Sequence, residues 1–217
     1  MIRSWKFIVA LGLGLTLAGL YARYGVRDNV LPRNFGVVVE GKVYRSGRLT
    51  PAATQLVHDR TGFRTVIDLG AYVGKPIDEQ VAAKTARALG VKRINFTDLD
   101  GYGVGNPNSY VAALRAMSDP ANQPVLVHCA AGAQRTSVCM MLYRKIYQGV
   151  PFETSIAEAL EHDHDPRDNP HLRVYLQTYA EAIERAVRTG ETIPWPDATD
   201  ATESPATPAA TAPITAP

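Results

Sequence analysis

The stretch from Val125 to Ser137, reading Val-Leu-Val-His-Cys-Ala-Ala-Gly-Ala-Gln-Arg-Thr-Ser, constrains this chain more than any other. Val125, Leu126 and Val127 form a short β-branched-rich run suited to a buried strand, and Val138 to Tyr147 is apolar at helical spacing. The polar residues between them therefore fall at a strand-to-helix turn, the junction where α/β folds bind ligands. From Ala130 to Arg135 successive backbone N–H groups can curl toward one centre, and a helix that starts near Arg135 adds its positive end. The result is an anion cradle. Ala130, Ala131, Gly132 and Ala133 keep its rim low, and Gly132 can take a positive φ at little steric cost.

Cys129 lies at the floor of that cradle, where the same N–H groups and the guanidinium of Arg135 favour a thiolate, the nucleophilic form. Arg135 offers a planar fork that pairs with two oxygens of a phosphoryl group, which Lys cannot match. The pattern His128-Cys129-x-x-Gly132-x-x-Arg135-Thr136 resembles the signature loop of the cysteine-dependent protein tyrosine and dual-specificity phosphatases. The resemblance covers about Asn34 to Arg188. It implies that Cys129 attacks phosphorus while Arg135 and the amides of Ala130, Ala131, Gly132, Ala133 and Gln134 hold the phosphate oxygens. It also implies that His128 bonds loop backbone and that the Thr136 hydroxyl donates to sulfur as the thiophosphate intermediate breaks. Ser137 stands where many relatives have Gly. Phosphoinositide-cleaving relatives tend to carry Lys in this loop and here it has none, so the resemblance disfavours a highly charged inositol substrate.

Phosphoester cleavage by a thiolate needs an acid from another segment to protonate the departing oxygen. Thr97 to Pro107, rich in Gly and Asp, is expected to be a mobile loop past a strand over 92–96. Ile94 to Asp98 is similar in layout to the acid segment of dual-specificity phosphatases, which makes Asp98 the candidate general acid. Asp100, followed by Gly101 and Tyr102, is the alternative, since related atypical members carry an acidic residue before Gly-Tyr there. Val43-Tyr44-Arg45-Ser46-Gly47 resembles the Tyr-Arg-Ser segment of a bacterial, plant and fungal branch of atypical dual-specificity phosphatases. Arg45 or Ser46 could support the loop, though a strand end before a Gly turn accounts for most of these residues.

The other elements alternate. Strands are predicted over 35–39, 42–44, 64–69 and 92–96. Helices are predicted from Thr50-Pro51 to Gly62, over 77–89, 107–118, to Gly149 after the loop, over 151–162 and over 175–188. Such alternation argues for an α/β fold with a parallel-rich central sheet flanked by helices. Asp68, at a strand end, is expected to hold a loop rather than do chemistry.

The 217 residues suit one globular unit with appendages, and a net charge of +2 without a concentrated basic face gives no support for nucleic-acid binding. Residues 1–24 are expected to be a membrane anchor or signal segment, 34–188 the catalytic domain, and 190–217 a disordered Pro/Ala/Thr-rich tail. Positive charges on the two flanks of the anchor nearly tie. The cytoplasmic face is favoured because a reactive thiolate is safer in a reducing compartment. Cys139 falls within a helix and is read as a buried apolar residue, with a resolving thiol as the alternative. The His- and Asp-rich run His162 to His171 fits no common metal pattern and is read as an interhelical loop. Trp195-Pro196-Asp197 spells the acid loop of classical tyrosine phosphatases but follows the cysteine, so it is set aside.

The expected function is hydrolysis of phosphomonoesters, protein phosphotyrosine first and phosphoserine or phosphothreonine second, with a phosphorylated protein or small phosphate ester as partner. No metal, cofactor or nucleic acid is required, and a monomer is expected. Alternatives are a small-molecule or inositol phosphate phosphatase, a catalytically weak phosphate-binding module, and a sulfur-transfer enzyme of rhodanese type.

Overall fold

The computed structural model of the protein describes residues 2–21 and 32–195. Its centre is a five-stranded sheet of β1 (Gly36–Val39), β2 (Val43–Ser46), β3 (Thr65–Asp68), β4 (Lys92–Asn95) and β5 (Val125–His128), in the order β1-β2-β5-β3-β4. β2, β5, β3 and β4 run parallel and β1 pairs antiparallel with β2, so the sheet is mixed and parallel-rich, as the alternation predicts. Every residue of β5 is buried, which explains why Val125 to Val127 reads as a continuous apolar run rather than an alternating one.

Register places the functional edge. Ser46 and Asp68 both pair with His128, so β2, β5 and β3 end level with one another. The segments leaving them, which begin at Gly47, Cys129 and Leu69, emerge side by side. Chain order also reverses around β5, with β1 and β2 on one side and β3 and β4 on the other, which opens a crevice at the strand ends.

The helices are α1 (Ile2–Tyr21), α2 (Pro51–Thr61), α3 (Pro76–Ala88), α4 (Pro107–Ser118), α5 (Gln134–Gln148), α6 (Phe152–Leu160) and α7 (His171–Thr189). Local chemistry sets their ends. Thr50 accepts from the Ala53 amide ahead of Pro51, and Gly62 closes α2 at φ 61°. Asn106 caps α4 in the same way, and Gly149 ends α5 at φ 67°. The last helix begins at His171, earlier than the expected Tyr175, because Leu172 continues the buried stripe of Tyr175 and Leu176 by one turn.

The period-two alternation of the strands sorts side chains to two faces. Val43, Ile67, Val125 and Val127 join the larger core with residues of α4, α5 and α7. Tyr44, Val66 and Leu126 join a smaller one with Val57 of α2 and Ala86 of α3. α5 is buried along most of its length, and Cys139 lies fully buried within it. Burial pushes that thiol up to about 12, so it stays protonated at neutral pH, in keeping with an inert core residue.

The anchor expected over 1–24 is not supported: among the described residues no helix is long and apolar enough to cross a membrane. Residues Ile8 to Tyr21 of α1 are exposed. Of the tail expected over 190–217, residues up to Trp195 are described and the rest lie outside. Ile193 is buried and exchanges two 2.8 Å hydrogen bonds with the Asn108 side chain, and the Trp195 ring packs edge-on against Tyr179.

Candidate active site

The loop after β5 folds back on Cys129. Cys129 is buried, and the amide of Gly132 donates to its Sγ at 3.2 Å. Gly132 has φ +76°, and a Cβ there would lie 2.5 Å from the Gly47 nitrogen and 2.6 Å from the Ser46 carbonyl carbon. Only glycine fits so close beneath the end of β2. Behind the loop α5 starts at Gln134 with no side-chain cap, so its first amides, which have no intrahelical partner, are not met by a capping side chain either. Ala130 is exposed at the rim, Ala131 and Gln134 are half-buried, and Ala133 is buried.

Arg135 is buried rather than turned to solvent, at 8% exposure. Its Nη1 donates to the carbonyl oxygens of Leu69 at 2.7 Å and Gly70 at 2.6 Å, which ties the loop after β3 to the start of α5. Its Nε is buried without a protein partner, as is the Thr136 Oγ1. Buried polar atoms are rarely left unpaired, so two beside the cradle mark it as a place where an anion would be met. His128 is buried, with Nδ1 donating to the Cys129 carbonyl at 3.3 Å and its ring edge-on to Tyr72.

The candidate acids lie on a segment that starts beside this guanidinium. A Cβ on Gly70 would sit 2.7 Å from Arg135 Nη1, 3.1 Å from the Phe96 carbonyl oxygen and 3.5 Å from that of Leu99. Leu99 is buried, whereas Asp98 and Asp100 on either side of it are exposed. Asp98 Oδ1 accepts from the Ser109 hydroxyl of α4 at 2.6 Å. Asp100 Oδ1 accepts from the amides of Tyr102 at 2.8 Å and Val104 at 3.1 Å, closing its own turn. The sequence predicts a mobile segment, yet Tyr110 donates to the Gly103 carbonyl at 2.8 Å and Tyr175 to that of Gly105 at 3.0 Å. Asp68 has the expected holding role: its Oδ1 accepts from the Ala71 amide at 2.7 Å.

Several contacts to the loop come from residues distant in sequence, among them Arg45, which the Tyr-Arg-Ser resemblance offers with Ser46 as a support. Arg45, 1% exposed, donates from Nη2 to the Gly132 carbonyl at 2.8 Å and to Ser137 Oγ at 2.9 Å. Burial brings its guanidinium down to about 10, still charged at neutral pH. Asn34 Nδ2 donates to the Ala131 carbonyl at 2.9 Å. From the His- and Asp-rich run, His164 Nδ1 donates to Gln134 Oε1 at 2.7 Å, and burial holds the His164 ring below its usual pKa and so neutral. Asn34 carries a sequence signal of its own, since Asn is a favoured residue for the left-handed backbone conformation that it adopts at φ 52°.

A cleft of about 360 Å³ opens beside Ala130, bordered by Arg33, Arg48, Thr54, Tyr72, Asp78 and Thr85 among others. Arg48 bonds Asp78 at 3.0 Å and lies 5.8 Å from the Tyr72 ring centroid.

The structure resembles the core catalytic domain of the PP-IP phosphatase SIW14 from S. cerevisiae, with a TM-score of 0.58 and 22% identity over 74% of this chain and 96% of that one. It also resembles TpbA of P. aeruginosa, with a TM-score of 0.55 and 19% identity over 72% of this chain and 91% of the other. Both likenesses concern the fold. In sequence the chain is 26% identical over 126 residues to the inositol diphosphatase SIW14 of Saccharomyces cerevisiae, covering 55% of this chain and 42% of that protein. The chain thus spans well under half the length of that relative. A cysteine under a glycine amide, a buried arginine six positions on and an uncapped helix start are what the signature loop implies, and a family model covers them. The chain belongs to the phosphatase family described as "DSP-PTPase phosphatase fused to NAD+ Kinase", whose model matches residues 33–172.

Proposed function

We propose that this phosphatase acts on phosphotyrosine in proteins. In this reading Cys129 Sγ attacks phosphorus in line and the bond from phosphorus to the tyrosine oxygen breaks. The Asp98 carboxyl gives its proton to that oxygen. Water then attacks the cysteinyl-phosphate, Asp98 takes a proton back, and phosphate leaves with the thiolate restored. Inward amides and Arg135 stabilise the charge on the equatorial oxygens throughout. The observation that carries the reading is the Gly132 amide on Cys129 Sγ at 3.2 Å, at the mouth of an uncapped helix. For the leaving group, the adjoining cleft offers the Tyr72 ring as an aromatic wall.

Asp98 is preferred as acid over Asp100 because of what each carboxylate already holds. Asp100 is committed to closing its own turn, its Oδ1 accepting two backbone amides, whereas Asp98 is held by a single hydroxyl from α4. Asp98→Ala is expected to lower kcat/KM on an alkyl phosphate by about 10²- to 10³-fold, and far less on p-nitrophenyl phosphate, whose leaving group needs no proton, while kcat falls on both through loss of the base for the second step. Asp100→Ala is expected to cost less than about tenfold on both substrates. Steady-state kinetics on the two substrates would reverse the assignment if Asp100→Ala showed the larger, leaving-group-dependent loss.

A second reading, an inositol diphosphate phosphatase, is favoured by the 26% identical relative and by Arg33 and Arg48 on the cleft. The loop's lack of Lys disfavours multiply phosphorylated substrates, but these two arginines lie outside the loop and can meet a second phosphate. The deciding experiment measures kcat/KM on a phosphotyrosine peptide, a phosphoserine peptide and an inositol diphosphate. The phosphotyrosine peptide is expected to lead by about tenfold or more. Preference for the inositol diphosphate, lost in Arg48→Ala, would replace the first reading by the second.

A further inference from the structure

Three successive carbonyls of the loop are each held from outside by the same stretch of chain. The Ala130 carbonyl accepts from the Arg48 amide at 3.0 Å, that of Ala131 from Asn34 Nδ2 at 2.9 Å, and that of Gly132 from Arg45 Nη2 at 2.8 Å. Within a trans peptide the C=O and the following N–H point in opposite directions. Carbonyls drawn outward at 130, 131 and 132 therefore turn the amides of Ala131, Gly132 and Ala133 the other way, toward the cysteine. The 3.2 Å bond from the Gly132 amide to Cys129 Sγ is one product of this arrangement.

We infer that Asn34 and Arg45 are positioning residues: an outer clamp that orients the loop's peptide planes so that their amides can bind the phosphoryl oxygens. Two further observations support the clamp. Asn34 at φ 52° and Asp163 at φ 62° are the non-glycine residues with left-handed backbone among those described, and they touch, Asn34 Nδ2 donating to Asp163 Oδ2 at 3.1 Å. Unfavoured backbone of this kind persists where its surroundings impose it, often at functional sites. Arg45, for its part, is buried with no carboxylate in ion-pair contact among the described residues, and its Nε has no partner. A buried cation is costly in the absence of a nearby negative group. Glu158 acts on it through space, and an oxyanion and a thiolate on the far side of the loop would add to that compensation.

The inference rests on the phosphatase reading of the Cys129 loop, and the test separates the two. Asn34→Gly removes the amide donor while keeping a residue that tolerates φ 52°, so a residue kept only for its turn would be replaced without loss. Arg45→Met keeps the apolar stem and removes both bonds. Steady-state kinetics are run below the thermal midpoint of each variant, and calorimetric titration with vanadate reads oxyanion affinity without turnover. Vanadate affinity and kcat/KM are expected to fall together, by about tenfold in Asn34→Gly and about 100-fold in Arg45→Met, with Arg45→Lys recovering part of the loss. Unchanged vanadate affinity and unchanged kcat/KM per folded molecule in Asn34→Gly would overturn the clamp, even if Arg45→Met failed to fold. Wild-type protein that binds vanadate but turns over no phosphoester would instead overturn the phosphatase reading, leaving the clamp to be judged on vanadate alone.

Discussion

Replacing Cys129 by Ser is expected to remove phosphatase activity, with kcat falling by about 10⁵-fold or more, in line with loss of a nucleophile that acts as a unit with its neighbours. A hydroxyl at that position is a far weaker nucleophile than a thiolate, and no adjacent base is arranged to activate it. Anion binding should survive. The amides of the loop and the Arg135 guanidinium are untouched, so vanadate affinity should stay within about tenfold of wild type. Thermal stability should change little, because Ser fills nearly the same space and accepts from the Gly132 amide as sulfur does at 3.2 Å. The variant is thereby a substrate trap, and the phosphorylated species that co-purify with it would identify the natural substrate. Residual kcat within about 100-fold of wild type would remove Cys129 from the chemistry.

Arg135→Lys is expected to be the second most damaging change, and to act on activity and stability together. Lysine keeps the charge but loses the planar fork, so the equatorial oxygens are met at one point where two were available, and kcat/KM should fall by about 10³-fold. The same side chain also holds the carbonyls of Leu69 and Gly70, with Leu69 fully buried. Leaving those acceptors unpaired costs about 1–3 kcal/mol each, which predicts a clear drop in the thermal midpoint. Wild-type stability with reduced activity would show that a lysine ammonium can satisfy both carbonyls. Wild-type activity would show that the guanidinium does not meet the phosphate.

What could be read from the chain alone follows the range of the forces involved. The strand, loop and helix around Cys129 are continuous in sequence, and each is set by local rules: a buried apolar run, a glycine at positive φ, an apolar helical stripe. Thr50-Pro51, Gly62 and Gly149 mark helix ends by capping chemistry within one turn, which is why those boundaries fall close to the observed ones. Cys129, Gly132 and Arg135 were legible for the same reason. Asn34 was not, and Arg45 was named as a support for the loop only through the Tyr-Arg-Ser resemblance, because their loop partners lie 97 and 87 positions away and come within reach only once β2 pairs with β5. Arg45 read locally as a strand end before a glycine turn. The role of His164 was hidden in the same way: its partner Gln134 is 30 positions away, and the acidic run around it resembled a polar connection. Arg33 and Arg48 reach the cleft from the segments flanking β1 and β2, so nothing local in the sequence ties them to Arg135.

The account stands on a covalent intermediate at one sulfur, and trapping it is the most direct measurement. Asp98→Ala protein mixed rapidly with p-nitrophenyl phosphate and quenched within the first turnover should carry one phosphoryl group, and peptide mass mapping should place it on Cys129. Turnover with no phosphoryl group on Cys129, or a label on another residue, would contradict the mechanism.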